Sequence, residues 1–134
     1  MANLKSAKQW FKIAIRDLRD CEALIALGPN HKHSAAYHAQ QCAEKAIKGF
    51  LTYSEFRVPK THDLGALAKL VSSVEPELSK LILRHKSLTN LAIAYRYPDA
   101  ESKPLTFATT KSAAKKARQI YDQCLKLSFG KAGH

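Results

Sequence analysis

The densest group of polar side chains in this sequence lies on a predicted helix between positions 38 and 48. Its members are His38, Gln40, Gln41, Glu44, Lys45 and Lys48. Steps of three and four residues stack Gln41, Lys45 and Lys48 in one row of the helix, and Gln40 and Glu44 form a second row. Such a surface can hold a phosphate and a base. The structural alternative is that Glu44 pairs with Lys48, or that it anchors a buried network with His38 and Tyr37.

Two rows of basic residues are candidates for contacts with a phosphate chain. The first row is Lys5, Lys8, Lys12, Arg16 and Arg19, and the second is Lys111, Lys115 and Arg118. The first row lies roughly 140° from the apolar stripe of its helix, at about 100° per residue. We therefore predict that Lys8, Lys12, Arg16, Lys111, Lys115 and Arg118 contact an RNA backbone. Few aromatic residues interleave with these rows, so binding should depend on phosphates and be weakly specific for sequence.

The charge balance agrees with an anionic ligand, because 22 Lys and Arg against 11 Asp and Glu give a net charge of +11. This excess attracts nucleic acid, nucleotides or an acidic partner. A solvated surface that only keeps the protein soluble is the alternative. We predict no metal site, since His31 and His33 have no nearby Asp, Glu or Cys, and we predict no cofactor.

The cysteines and the hydropathy pattern indicate a cytoplasmic protein with no membrane segment. Cys21, Cys42 and Cys124 are odd in number, widely spaced and placed within helical patterns. They are therefore predicted to be small buried hydrophobic residues and not part of a disulfide framework. No charged leader and no long uncharged apolar run is present, so neither a signal peptide nor a transmembrane helix is expected.

Amphipathic helices must position these side chains. Apolar residues recur every three or four positions over 3–27, 34–55, 76–96 and 105–127. A shorter helix follows Thr61, which is a plausible N-cap with Asp63 in the first turn. No alternation of period two appears, and no linker divides the chain. Residues 1–134 are thus predicted to form one all-α domain, an antiparallel up-and-down bundle of four to five helices.

Three segments together resemble a known family. They run from Tyr37 to Lys48, from Lys60 to Leu64 and from Ala94 to Asp99. Their order and spacing are similar to those of stand-alone prokaryotic HEPN domains. This resemblance implies a bundle of four or five helices, frequent dimers, and pairing with a small nucleotidyltransferase, often in toxin–antitoxin systems. Some members of the family are metal-independent RNases that use an Arg followed, after four to six residues, by a His. Others bind nucleotides, RNA or a partner without cleaving anything.

The RNase motif of the family is incomplete in this sequence. It should begin at Arg96, but no His follows before His134. Cleavage without metal needs a proton acceptor for the 2′-hydroxyl, and imidazole is the usual one. Tyr97 and Asp99 are weak substitutes. Arg96 itself can grip a phosphate through its guanidinium, which would add it to the nucleotide site, or it can pair with a nearby carboxylate and hold the loop.

A second Arg–His pair has the spacing of the motif but a different position. Arg57 and His62 are separated by four residues, in a predicted loop and not at the end of the fourth helix. Such a spacing arises easily by chance in a chain with 22 basic residues and six His. We therefore interpret His62 as a residue of the first turn of the third helix, because catalysis depends on geometry before spacing.

Three functions are compatible with these features. The favoured one is a non-catalytic nucleotide- or RNA-binding module that acts with a small nucleotidyltransferase partner in a toxin–antitoxin-like system. The alternatives are a metal-independent RNase toxin with an altered Arg-containing site and a purely structural dimerisation domain. The missing His disfavours the RNase, and the charge disfavours a purely structural role. A homodimer is expected from the family resemblance, with Tyr95, Tyr97 and Phe107 as interface aromatics.

Overall fold

In a computed structural model, residues 3–93 and 104–130 are described, and they form six α-helices and no strand. The helices are α1 (Leu4–Ala26), α2 (Lys32–Tyr53), α3 (Leu64–Val71), α4 (Pro76–Arg84), α5 (Leu88–Ile93) and α6 (Phe107–Phe129). The all-α helical bundle predicted from the sequence is therefore confirmed. None of the helices in this part of the chain is long and apolar enough to cross a membrane.

Helix α1 has the apolar stripe expected from its sequence. Its N-terminus is capped by Asn3, whose side chain accepts a hydrogen bond from the Ser6 amide at 3.1 Å. The buried residues are Ala7, Phe11, Ala14, Leu18 and Cys21. After α1, Gly28 adopts a φ of +108°, which L-residues with a side chain rarely adopt. This turn and a short 3-10 segment reverse the chain into α2.

Helix α2 is the centre of the bundle, and thirteen of its 22 residues are buried. It packs against α1 on one side and against α6 on another. Small residues line these contacts, which lets the helix axes approach closely. Gly49 lies at a close approach to α1, because a Cβ there would lie 2.9 Å from Phe11 Cε2.

Helix α6 runs parallel to α2 and antiparallel to α1. Near the first turns, the Thr110 hydroxyl donates to the Lys32 carbonyl at 3.1 Å. At the other ends, the rings of Tyr53 and Phe129 lie 5.3 Å apart. Helix α1 is therefore antiparallel to both of the long helices that it contacts, α2 and α6. The shorter helices α3, α4 and α5 lie between α2 and α6 in the chain.

The third helix begins later than the sequence suggested. Its N-cap is Asp63, whose carboxylate accepts from the Gly65 amide at 2.9 Å. The Thr61 hydroxyl accepts instead from the Asp63 amide at 3.1 Å. Thr61 thus shapes the turn before the helix, because a hydroxyl can bond to the amide two residues ahead as readily as it caps a helix.

The predicted fourth helix is divided. Helix α4 ends at Arg84 and α5 begins at Leu88, so His85 lies in the turn that separates them. The break lets the two segments bury different faces: α4 packs on α3 and α6, whereas α5 packs on α2. The Ser79 hydroxyl also ties α4 to α3 by donating to the Ala68 carbonyl at 2.8 Å. One straight helix could not make both sets of contacts.

Candidate functional site

The most concentrated polar group among the described residues surrounds Glu44. This residue is 1% exposed, in the middle of α2. Its Oε2 accepts from Lys48 Nζ at 2.8 Å, and its Oε1 accepts from Gln40 Nε2 at 3.1 Å. A third partner, His62 Nδ1, lies 2.9 Å from the same Oε1 and comes from the loop before α3. Because a carboxylate only accepts, the His62 Nδ1 carries the hydrogen in this contact.

The buried carboxyl group of Glu44 is ionised. Burial by itself raises the pKa of this carboxyl, but hydrogen bonds from Lys48, His62 and Gln40 outweigh it and hold the pKa below its usual value. Lys48 supplies the compensating positive charge and is itself 6% exposed. The Lys48 ammonium also lies 5.9 Å from the centre of the Trp10 ring of α1. The Glu44–Lys48 pair anticipated from the sequence is therefore present.

The polar network continues toward the surface along α2. Gln41 Nε2 donates to Gln40 Oε1 at 2.7 Å, and Lys45 Nζ donates to Gln41 Oε1 at 3.0 Å. Gln41 and Lys45 are each partly exposed. Three of the predicted nucleotide-binding residues, Gln41, Lys45 and Lys48, thus lie in one connected network. The Lys48 ammonium is already bonded to Glu44, whereas the Lys45 ammonium contacts a neutral amide.

His38 lies elsewhere. Its Nδ1 is 2.8 Å from the Asp17 carboxylate, so this side chain links α2 to α1. The histidine that meets Glu44 is His62, 18 positions farther along the chain. No spacing in the sequence indicates this contact, because the loop between Ser54 and Asp63 alone brings His62 back over α2. The sequence had placed His62 in the first turn of a helix, but α3 begins two residues later.

The basic row of α1 is exposed along its whole length. Lys5, Lys8, Lys12, Arg16 and Arg19 all lie at the surface. None of them forms an ion pair with a carboxylate of the described chain. Among the aromatic rings of residues 3–93 and 104–130, only that of Phe129 is contacted by this row, with Lys8 Nζ 5.8 Å from the centre of the ring. This contact lies beside a groove of about 340 Å³ between α1 and α6, lined by Lys8, Phe11, Leu125 and Phe129.

The second basic row, on α6, is arranged differently. Arg118 donates to both carboxylate oxygens of Glu22 at 3.1 to 3.3 Å. Lys111 lies 4.8 Å from the centre of the Phe107 ring. Because α1 and α6 are antiparallel, Lys8 lies near the end of α6, and Lys111 and Lys115 lie toward the end of α1. The two rows occupy neighbouring helices but are displaced along them.

The remaining predicted site residues, Arg96, Tyr97 and Asp99, lie outside the described residues, as does Tyr95. Over residues 3–93 and 104–130, no three His, Cys, Asp or Glu side chains are grouped as metal ligands would be. The three cysteines are free and buried. Burial raises the pKa of the Cys21 thiol to about 12 and also raises that of Cys42 and Cys124, which leaves all three as neutral thiols.

Comparison with known proteins gives consistent matches. A sequence model of the HEPN domain matches residues 7–127. The chain is 32% identical over 104 residues to "Putative toxin MJ1304" of Methanocaldococcus jannaschii, a match that covers 72% of this chain and 66% of that protein. The crystal structure of TT1696 from Thermus thermophilus superposes with a TM-score of 0.73 at 25% identity, covering 92% of this chain and 98% of TT1696. ST0689, an archaeal HEPN homologue, superposes with a TM-score of 0.68 at 21% identity, covering 90% and 96% of the two chains.

Proposed function

The chain belongs to the HEPN domain family, and from this premise we propose that it is a non-catalytic module that binds RNA or nucleotides. We further propose that it acts with a small nucleotidyltransferase partner in a toxin–antitoxin-like system. The family and the similarity to a protein named as a toxin support this setting. The chain spans 66% of that relative's length, so the setting is inferred for the domain and not for a longer protein.

The observation that carries RNA binding is the unpaired basic row of α1. Exposed cations without a carboxylate partner keep a shell of counterions, and a phosphate chain can take their place. The five side chains of this row extend along α1 from Lys5 to Arg19, a rise of about 21 Å at 1.5 Å per residue. Such a row can contact several successive phosphates of a single strand. Arg118 contributes less, because Glu22 already occupies its guanidinium.

Charge reversal on α1 tests this proposal. We expect the double variant Lys5→Glu, Lys12→Glu to bind single-stranded RNA much more weakly than the wild type. The matched control is Lys69→Glu, Lys86→Glu, which changes the net charge equally at two exposed lysines outside α1. For the wild type, contacts with four or five phosphates predict a slope of roughly −3 to −3.5 in a plot of log affinity against log salt, at about 0.7 per phosphate.

The measurement is a fluorescence anisotropy titration with labelled RNA at several salt concentrations. The α1 variant should lose affinity for RNA and show a shallower slope. The control variant should keep most of the wild-type affinity and a slope close to that of the wild type. Equal losses from the two variants would mean that net charge alone attracts RNA, and the α1 surface would then not be a binding site.

A further inference from the structure

His62 combines an exposed ring with a fixed orientation. Its side chain is 67% exposed, yet its Nδ1 is held 2.9 Å from the carboxylate of Glu44, whose side chain is 1% exposed. A buried acceptor that binds one ring nitrogen sets the direction of the other, as second-sphere carboxylates do for histidines that bind ligands. The Nε2 of His62 therefore points away from Glu44, since the two N–H directions of an imidazole diverge.

The negative charge of the Glu44 carboxylate is neutralised without His62. Lys48 already provides one positive charge for its carboxylate, and Gln40 already donates to the oxygen that His62 contacts. When His62 is protonated, the charges of Glu44, Lys48 and His62 therefore sum to +1. This surplus charge is carried by the one exposed member of the group, the His62 ring.

Among the described residues, the charged groups of the loop that carries His62 and of the connected α2 network leave the balance positive. The loop before α3 carries Arg57 and Lys60, both exposed, and the α2 network ends at Lys45. The acidic groups of this loop are Glu55 and Asp63, and the Asp63 carboxylate already accepts from the Gly65 amide. The α1 group that contacts Lys48, the Trp10 ring, and the α5 group that accepts from the Leu64 amide, the Thr89 hydroxyl, are uncharged. A small anion is therefore the ligand that this surface favours.

We propose that His62, held in place by Glu44, binds a phosphate group, with Nε2–H donating to a phosphate oxygen. The proposal deepens the nucleotide-binding part of the proposed function and rests on it for the identity of the ligand, a phosphate monoester. Only the imidazolium donates from both nitrogens at once, to Glu44 and to phosphate. Phosphate binding in this geometry therefore depends on the doubly protonated form of the ring.

The test uses the full chain and two probes, inorganic phosphate and AMP, with adenosine as a control that lacks the phosphate. Ring nitrogen signals of the histidines are recorded by two-dimensional ¹H–¹⁵N NMR at pH 6 and pH 8. We expect His62 to be protonated at Nδ1 without ligand. We expect its Nε2 signal to move on addition of phosphate or AMP at pH 6, but not on addition of adenosine. Movement with AMP alone would identify a nucleotide as the source of the phosphate.

The variant His62→Asn distinguishes a loss of phosphate binding from a loss of folded structure. His62→Asn keeps an amide donor near the position of Nδ1, so the contact with Glu44 can persist, but it removes Nε2. We expect it to unfold near the wild-type temperature and to bind phosphate about tenfold more weakly or worse, as is typical when a charge-assisted hydrogen bond is lost. The control is His31→Asn, which alters an exposed histidine in the turn before α2.

Two results would overturn the proposal. One is wild-type phosphate affinity in His62→Asn. The other, which does not depend on the folding of any variant, is a His62 ring signal that stays in place when either inorganic phosphate or AMP is added to the wild type. RNA binding is a separate readout: its loss in the α1 variant with an intact His62 response supports both sites. Absence of RNA binding by the wild type together with a phosphate response at His62 would reject the RNA-binding part of the proposed function and keep this site.

Discussion

At the scale of single residues, the buried ion pair of Glu44 and Lys48 depends strongly on the hydrogen-bond donors around it. Two charges that are almost fully removed from water are tolerated only when their hydrogen bonds are satisfied. Here Gln40 and His62 complete the shell of the carboxylate. Removal of one partner would leave the other charge buried without compensation.

We therefore predict that Glu44→Gln destabilises the domain by about 3–5 kcal/mol at neutral pH, because the Lys48 ammonium loses its carboxylate. Urea unfolding followed by circular dichroism measures this loss. The control is Glu77→Gln, which breaks an exposed pair with Lys80 and should leave stability nearly unchanged. Similar small losses in both variants would show that the buried pair is not a stabilising contact.

The pH dependence of stability should also change in Glu44→Gln. The folded-state pKa of Glu44 is lowered, so below the usual carboxyl value of 4.5 the unfolded chain binds more protons than the folded one. The contribution of this carboxylate is complete above pH 4.5 and is lost as the pH falls through the lowered value. Unfolding temperatures measured across acid pH should fall less steeply for Glu44→Gln. An unchanged slope would contradict this assignment.

A third prediction at this scale concerns Arg96, which lies outside the described residues. No His follows it at the spacing of the RNase motif of the HEPN family, so we expect the purified protein not to cleave single-stranded RNA efficiently without metal. Gel electrophoresis of incubated RNA is the measurement. Arg96→Ala and, as a matched control, Arg84→Ala separate a true site from contamination. Cleavage that only Arg96→Ala abolishes would show that the protein is an RNase.

At the scale of helices, the crossing of α1 and α2 depends on one residue without a side chain. The backbone of Gly49 lies against the side chains of Phe11 and Trp10. Glycine within a helix is otherwise unfavourable by about 1 kcal/mol relative to alanine. Its presence inside the most buried helix, near the C-terminal end of α2, therefore reflects the close approach of α1.

We predict that Gly49→Ala lowers the free energy of unfolding in spite of its better helix propensity. The new Cβ would lie 2.9 Å from Phe11 Cε2 and 3.1 Å from Trp10 Cβ. Overpacking of this kind costs about 1–3 kcal/mol, which exceeds the gain of about 1 kcal/mol in propensity. Urea unfolding of Gly49→Ala, Phe11→Leu and the double variant should show that Leu at position 11 relieves part of the cost. Stabilisation by Gly49→Ala alone would mean that the helices separate easily.

At the scale of the whole molecule, the net charge and the family lead to opposite expectations about self-association. A net charge of +11 disfavours self-association, while HEPN domains commonly form dimers. Of the aromatic residues assigned to an interface, Tyr95 and Tyr97 lie outside the described residues. Phe107 begins α6 and lies against the Lys111 ammonium, partly exposed. A dimer therefore stays a prediction.

We expect a homodimer in light scattering at moderate salt, and we expect its dissociation constant to fall as salt rises. Salt screens the repulsion between two basic chains and leaves apolar contacts in place. Phe107→Ser should weaken the dimer, and Thr109→Ser, an exposed position on the same helix turn, should not. A monomer at every salt concentration would reject the homodimer.

Local sequence determined the long helices. The apolar period predicted α1, α2 and α6 within two residues at each end, because helix formation depends on neighbours three and four positions away. The Glu44–Lys48 pair follows from the same spacing, since both side chains lie one turn apart on α2. These features needed no knowledge of which helix packs against which.

Tertiary structure alone decided the break after Arg84, the parallel direction of α2 and α6, and the contact of Glu44 with His62 rather than His38. Each of these depends on residues that are far apart in the chain, and a repeat of three to four residues carries no information about such distances. His62 reaches Glu44 because the loop after α2 folds back over that helix, which buries the carboxylate and leaves the imidazole exposed. Burial of Glu44 makes the hydrogen-bonded network necessary, since a carboxylate removed from water needs several donors, and only the assembled bundle brings them together.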